Sequence, residues 1–217
     1  MEPPKIILDL FCGVGGASMG YHKQWPKAHI IGVDIVEQPN YPFDFQLDDV
    51  FHYLSDSRRY SSIDFIHASP PCKRWAARQI NEEWPDLITP LRQTLYRTRN
   101  EKEKLIPWVI ENVSQAPIRR DLQLCGTALG NTNGKYELRR HRYFEFFPEP
   151  IYILSPECNH DHSKETVSIW GRSEKWVGYS NVGRELMGIP WANWNEFRDS
   201  IPPSYTEWIA KALESEP

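Results

Sequence analysis

The 217-residue sequence contains no apolar run close to the roughly 20 residues that a membrane-spanning helix needs, so no such helix is expected. Met1 to Lys5 carries neither the basic start nor the apolar centre of a secretory signal, and a cytoplasmic chain is expected. Its four cysteines, at 12, 72, 125 and 158, are too few and too scattered for a disulfide framework. There is no internal repeat, no sustained heptad and no biased tract, which excludes solenoids, coiled coils and collagen-like structure. Charge of one sign is also lacking. A net charge of −4 argues against a uniformly basic nucleic-acid coat. What remains is 40% hydrophobic and 25% charged, which suits one α/β domain with at most a small appendage.

Apolar runs rich in Ile and Val fall at Lys5–Asp9, in HIIGVDI ending near Asp34, in IDFIHAS before Pro70, and in PWVIENV ending at Val113. Helical stretches separate them, and this alternation predicts a mostly parallel sheet with crossover helices. Ligands in such folds sit beyond the carboxyl ends of the strands, where each distinctive motif of this sequence lies. A helix is expected between Asp86 and Lys104, broken near Pro90, and another from Pro203 to Leu213. Residues 143–185, with Pro148, Pro150 and Pro156, read as irregular β structure.

Four motifs carry chemistry. Asp9-Leu10-Phe11-Cys12-Gly13-Val14-Gly15-Gly16 joins a strand to a helix, where small residues let a ligand approach the backbone. It matches neither the P-loop nor G-x-G-x-x-G, so a nucleotide-like ligand without a triphosphate fits better, with Asp34 placed to accept from ribose hydroxyls. In Ser69-Pro70-Pro71-Cys72, two prolines stiffen the backbone before a cysteine. That cysteine reads either as a nucleophile, its thiolate favoured by Lys73 and Arg74, or as a small buried residue. Glu111, closing an apolar strand, should hold its proton unusually well and could donate to a ring nitrogen; a structural carboxylate paired with arginine is the alternative. Arg140-His141-Arg142 would present both guanidinium groups on one strand face, or form a solvated basic patch.

Taken in order, these motifs resemble those of the DNA (cytosine-5) methyltransferases. DLFCGVGG is similar to that family's cofactor loop, GVDI to its second motif, and Asp49-Val50 to the pair that meets adenine. SPPC resembles the nucleophile motif, Glu111-Asn112-Val113 the Glu-Asn-Val motif, RHR the arginine pair, and Ile201-Pro202-Pro203 the last motif. The resemblance implies a Rossmann-like fold that binds S-adenosylmethionine through Asp9, Phe11, Gly13, Gly15, Gly16, Asp34, Ile35, Asp49, Val50, Pro70 and Ser200. It implies addition of Cys72 to C6 of a cytosine flipped out of duplex DNA, Glu111 at N3, Arg142 at O2, and Arg140 nearer the phosphates. Asn112 would position the loop carrying Pro71 and Cys72, while Lys73, Arg74 and Arg139 would attract DNA.

The sequence departs from that family's pattern at Lys73 and Ala76, where glutamine and serine are usual, at Leu138 for glutamine, and at Arg198-Asp199-Ser200 for Gly-Asn. The expected organisation is a catalytic part at 1–142, a reduced target-recognition segment at 143–185, and returning motifs at 186–217. So short a segment implies relaxed specificity, as in compact phage-type members, or help from a protein partner. Methylation of cytosine in tRNA and a non-catalytic accessory role are the competing readings. Cys158-Asn159-His160-Asp161-His162 reads as a polar loop, because no second cysteine pair or helical histidine spacing completes a metal site; no metal is expected. Trp170, Trp176, Trp191 and Trp194 could stack on nucleic acid or anchor loops.

Overall fold

The computed structural model describes residues 2–76, 80–150, 153–167, 169 and 180–215. The Ile- and Val-rich runs form strands β1 (Ile6–Leu10), β2 (His29–Asp34), β4 (Phe65–Ala68) and β5 (Trp108–Asn112). Strands β3 (Asp44–Leu47), β6 (Leu122–Leu124) and β8 (Arg142–Phe147) complete a seven-stranded sheet in the order β3-β2-β1-β4-β5-β8-β6. β8 runs antiparallel to both neighbours, and the remaining strands run one way. The order of connection reverses between β1 and β4, so their carboxyl ends part to leave a crevice.

Side-chain alternation sends successive strand residues to opposite faces, and both faces are covered. Leu8, Leu10, Ile66 and Ile110 pack with α2 (Val50–Ser55) and α3 (Ile88–Leu95). On the other face Ile7, Phe65, Val109 and Phe144 pack with Tyr21 of α1 (Gly16–Gln24) and Tyr205 and Ile209 of α6 (Pro203–Glu214). Thr206 Oγ1 donates to Ala17 O at 2.7 Å and locks α6 to α1. A third cluster, including Val14, Leu138, Met187, Ile189 and Phe197, joins the glycine loop to α4 (Ser180–Met187) and α5 (Trp194–Arg198). A two-strand ribbon of β7 (Tyr136–Glu137) and β9 (Glu165–Thr166) stands apart from the main sheet.

Two boundaries differ from expectation. α3 stops at Leu95, and the charged stretch to Lys104 forms turns, because Asn100 accepts from the Lys102 and Lys104 amides through its side chain. Pro90 sits in the first turn of α3, where its missing N–H costs nothing and no break results. The recognition segment set apart from residue 143 would begin inside β8, whose Phe144 and Phe146 are core residues of the main sheet. Trp170 and Trp176 lie outside the described residues. Trp191 donates from its indole N–H to Val14 O at 2.9 Å, and Trp194 packs edge-on against Phe197, so both serve as anchors of the third cluster.

Candidate active site

The loop after β1 reverses the chain with Phe11, Gly13 and Gly15 at positive φ (57°, 48° and 85°). Gly16 opens α1 against the last motif: a Cβ there would lie 2.2 Å from both Ile201 O and Ser200 Oγ, so only glycine permits the approach. Gly13 faces open space instead, with nothing within 4 Å of where a Cβ would stand. Beside it is a small pocket lined by Asp9, Phe11, Gly13, Ser69, Asp199 and Ser200 among others. Asp9 is fully buried, accepts from the Ser18 hydroxyl, and leaves Oδ1 without a partner. Burial pushes its carboxyl up to about 7, against the opposing bond from Ser18.

Asp34, at the end of β2, spends its carboxylate on the backbone, accepting from Gly13 N and Val36 N at 3.0 Å each. It therefore fixes the shape of the glycine loop. Next to it Ile35, the first residue after β2, is an apolar side chain 67% exposed. Asp49 caps α2, its Oδ1 accepting from the Phe51 and His52 amides at 2.9 and 3.0 Å, and Val50 is buried beneath it.

Across the crevice, Pro70 is buried, Pro71 is exposed, and Cys72 begins a short 3₁₀ turn (Cys72–Arg74). The buried Asn112 amide donates to Pro70 O at 2.8 Å, tying the proline loop to the end of β5. Burial raises the Cys72 thiol above its usual range, while Arg142 and Arg140 pull it down and Glu111 and Asp199 push it up. Glu111 is 5% exposed; burial raises its carboxyl, opposed chiefly by Arg142, whose Nε lies 2.9 Å from Oε1. A thiol, a carboxyl group inclined to hold its proton, and a forked cation thus meet at the ends of β4, β5 and β8. Such a set can add a nucleophile to an electron-poor ring and hold the charge that develops.

Several expected roles do not match these positions. The cations that bear on Cys72 come from the distant Arg142 and Arg140. Lys73 instead lies over the Trp84 ring at 4.4 Å, and Arg74 lies over Trp75 and donates to Trp84 O at 2.6 Å. Arg140 precedes β8, so strand alternation does not govern it. It is 9% exposed and donates to the carbonyls of Ile169, Arg198 and Ser200, which removes it from phosphates and makes it the tie between the β8 edge and the last motif. Burial lowers its guanidinium to about 9, with Arg142 adding to the effect. Arg139 is paired with the buried Glu137.

A buried chain of polar groups that no sequence motif announces lies behind Glu111. Tyr21 Oη lies 3.0 Å from His67 Nδ1, His67 Nε2 lies 2.9 Å from Ser69 Oγ, and Ser69 reaches the Glu111 carboxylate. Burial lowers His67 to about 3, so the ring is neutral. With Glu111 ionised, one assignment satisfies every bond: Tyr21 donates to Nδ1, the Nε2 proton goes to Ser69, and Ser69 donates to Glu111. The histidine inside IDFIHAS, at the carboxyl end of a strand, was the available signal.

No protein-family model matches the sequence, and no curated protein matches it significantly. Among solved structures, a triple mutant of DNMT2 from Spodoptera frugiperda superposes with a TM-score of 0.63 at 13% identity, covering 97% of this chain and 99% of that one. An S-adenosylmethionine-dependent methyltransferase from Agrobacterium tumefaciens overlaps 51% of this chain and 39% of its own at 20% identity and a TM-score of 0.35, too low to carry weight. The likeness to DNMT2 extends over almost the whole of both chains, and it is a likeness of fold: this chain shares that structure's open, Rossmann-like α/β sheet.

Proposed function

We propose that this chain is an S-adenosylmethionine-dependent methyltransferase acting on C5 of cytosine in DNA, through a covalent bond between Cys72 and C6. The observation that carries the reading is the meeting of Cys72, Glu111 and Arg142 opposite the Asp9–Gly13 pocket, within a methyltransferase fold. The residues of the crevice suit the cofactor. Asp9 offers an unpartnered buried carboxylate oxygen to an ammonium group, the space beside Gly13 admits a chain, and exposed Ile35 would be covered by an apolar ring. Asp34 and Asp49, although each bonds backbone, retain acceptor capacity toward ribose and adenine. When bound, S-adenosylmethionine supplies an electrophilic methyl group.

This chain's own residues then make cytosine able to accept it. The Cys72 thiolate adds to C6, the C5–C6 π pair becomes a C4–C5 double bond, and the C4–N3 π pair moves onto N3, giving an enamine whose C5 is nucleophilic. Glu111, protonated, donates to N3 and offsets the negative charge that grows there. Arg142 donates to O2. Asn112, through Pro70 O, holds the loop that aims Cys72. After methylation a water molecule takes the C5 proton, the C–H electron pair re-forms the C5–C6 double bond, and the C6–S bond breaks to release the Cys72 thiolate. A base paired in a duplex must leave the stack to reach these groups.

Tritium transfer from labelled S-adenosylmethionine to duplex DNA, to tRNA, or to neither tests the proposal. Label in 5-methylcytosine of DNA is the expected result. Label confined to tRNA would move the substrate to RNA, and label in neither, with cofactor binding intact, would favour an accessory protein. Because the segment after β8 is short, direct readout should extend over about two or three base pairs around the cytosine.

A further inference from the structure

Away from the crevice, on the outer edge of the sheet, two cysteines and two histidines converge. Cys125, His141, Cys158 and His160 each bring one ligand atom, and these atoms all lie within 4.8 Å of one another. We propose that they bind a zinc ion that fastens the segment around Cys158 to the sheet beside Arg142.

The backbone explains why four residues so far apart in sequence meet. Leu124 of β6 pairs with Arg142 of β8, so Cys125 and His141 are the next two positions at the same end of an antiparallel pair. Cys158 and His160 are two residues apart in a segment without regular secondary structure, and extended spacing of that kind sends both side chains to one side. Cys125 Sγ is 3.4 Å from His160 Nε2, and His141 Nε2 is 3.3 Å from Cys158 Sγ. With Zn–S near 2.3 Å and Zn–N near 2.0–2.1 Å, a tetrahedron has ligand-to-ligand edges of about 3.3–3.8 Å. The two contacts sit within that range, and the two imidazole rings meet edge to face, with planes at 83°. Thr127 Oγ1, 3.3 Å from Cys125 Sγ, and Gln123 Nε2, 4.0 Å from Cys158 Sγ, stand where outer groups orient thiolate ligands.

The donor set selects the ion. Two thiolates and two imidazoles favour a borderline-soft divalent metal, and four protein ligands leave no open position for substrate, so the site is structural. Its placement gives it a job. The residues from Ile153 to Lys164 contribute little to the core, with Ile153 the buried apolar side chain among them, and are otherwise held by polar contacts such as Gln123 N to Ser155 Oγ and Asp161 N to Glu137 Oε2. A metal supplies the missing anchor. His141 lies between Arg140 and Arg142, so the same ion would fix the backbone from which Arg142 reaches Glu111. Sequence alone hid the site because Cys158 and His160 look incomplete until β6 and β8 bring up the other two ligands.

The test is metal analysis of the full-length, untagged chain purified under reducing conditions, followed by exchange with Co(II). Zinc at one equivalent per chain, and Co(II) spectra with the bands of a tetrahedral thiolate site, are the expected results. Cys158→Ser and His160→Ala should each lower retained zinc at least tenfold, whereas His162→Ala, a neighbour outside the cluster, should keep it. Should the variants not fold, Co(II) titration of the wild-type chain stripped with a chelator gives the same answer. A chain that neither carries zinc nor takes up Co(II), zinc retained fully by both ligand variants, or a Cys125–Cys158 disulfide found by mass spectrometry would overturn the proposal.

Discussion

Replacing Arg142 by Met removes a charge while keeping most of the aliphatic bulk, and the structure dictates how the loss should vary with pH. Arg142 Nε stands 2.9 Å from Glu111 Oε1, with both side chains largely buried. Removing one partner of a buried pair typically costs about 3–5 kcal/mol when the other must stay charged. Glu111 has an escape, because it can take up a proton. Burial already raises its carboxyl above the unfolded value, and Arg142 is the main force pulling it back down. Below the unfolded carboxyl pKa the residue is neutral in both states, and losing Arg142 costs only packing. As pH rises, the unfolded chain releases that proton more readily than the folded one, so ionisation of Glu111 favours unfolding. Without Arg142 the folded carboxyl titrates higher still, and the penalty grows over a wider range of pH, each tenfold change in proton affinity being worth about 1.4 kcal/mol. The stability gap between wild type and Arg142→Met should therefore be small near pH 4.5 and reach roughly 3 kcal/mol by pH 8. Urea unfolding followed by tryptophan fluorescence at a series of pH values measures it. A gap that is constant with pH, or that narrows as pH rises, would refute the coupling between these two side chains.

Other outcomes follow from the same geometry. Asp9 titrates near 7, so S-adenosylmethionine should bind more tightly at pH 8 than at pH 6, and Asp9→Asn should bind weakly at both; calorimetry at the two pH values checks it. The rate of Cys72 alkylation by iodoacetamide in the free protein should climb with pH to a midpoint above that of an ordinary thiol, and Arg142→Met should move that midpoint higher. Asn112→Ala leaves Pro70 O unpaired in a buried setting, which should cost about 1–3 kcal/mol and slow methyl transfer more than it weakens cofactor binding. Asp49→Ala should lower stability by about 1 kcal/mol through loss of the α2 cap, read as a lower melting temperature.

The strands that carry the site were legible because each is a short apolar run ending in a polar or glycine-rich turn. β1, β2, β4 and β5 emerge within a residue or two of the runs that announce them. The motifs at their ends also converge, because a parallel sheet brings carboxyl ends together whatever the spacing in sequence. Long-range partners were not legible. Lys73 and Arg74 are next to Cys72 in the chain, yet two tryptophans draw them away, while Arg142 approaches only because β8 lies beside β5. The acceptors of Arg140 are carbonyls up to 60 residues downstream, and no local pattern announces them. In sequence His67 is only one residue of a strand, because a single buried histidine has no periodic signature; its role emerges from Tyr21 and Ser69 on either side.

The central claim is that Cys72 forms a covalent bond with the target cytosine. Duplex DNA containing 5-fluorocytosine, incubated with the chain and S-adenosylmethionine, tests it directly, because a C5 fluorine cannot leave as a proton does and the adduct persists. Peptide mass spectrometry should find the modified base on Cys72, and Cys72→Ser should form no adduct while still binding the cofactor. An adduct on Cys12, Cys125 or Cys158, or methylated product released without any adduct, would contradict the assignment.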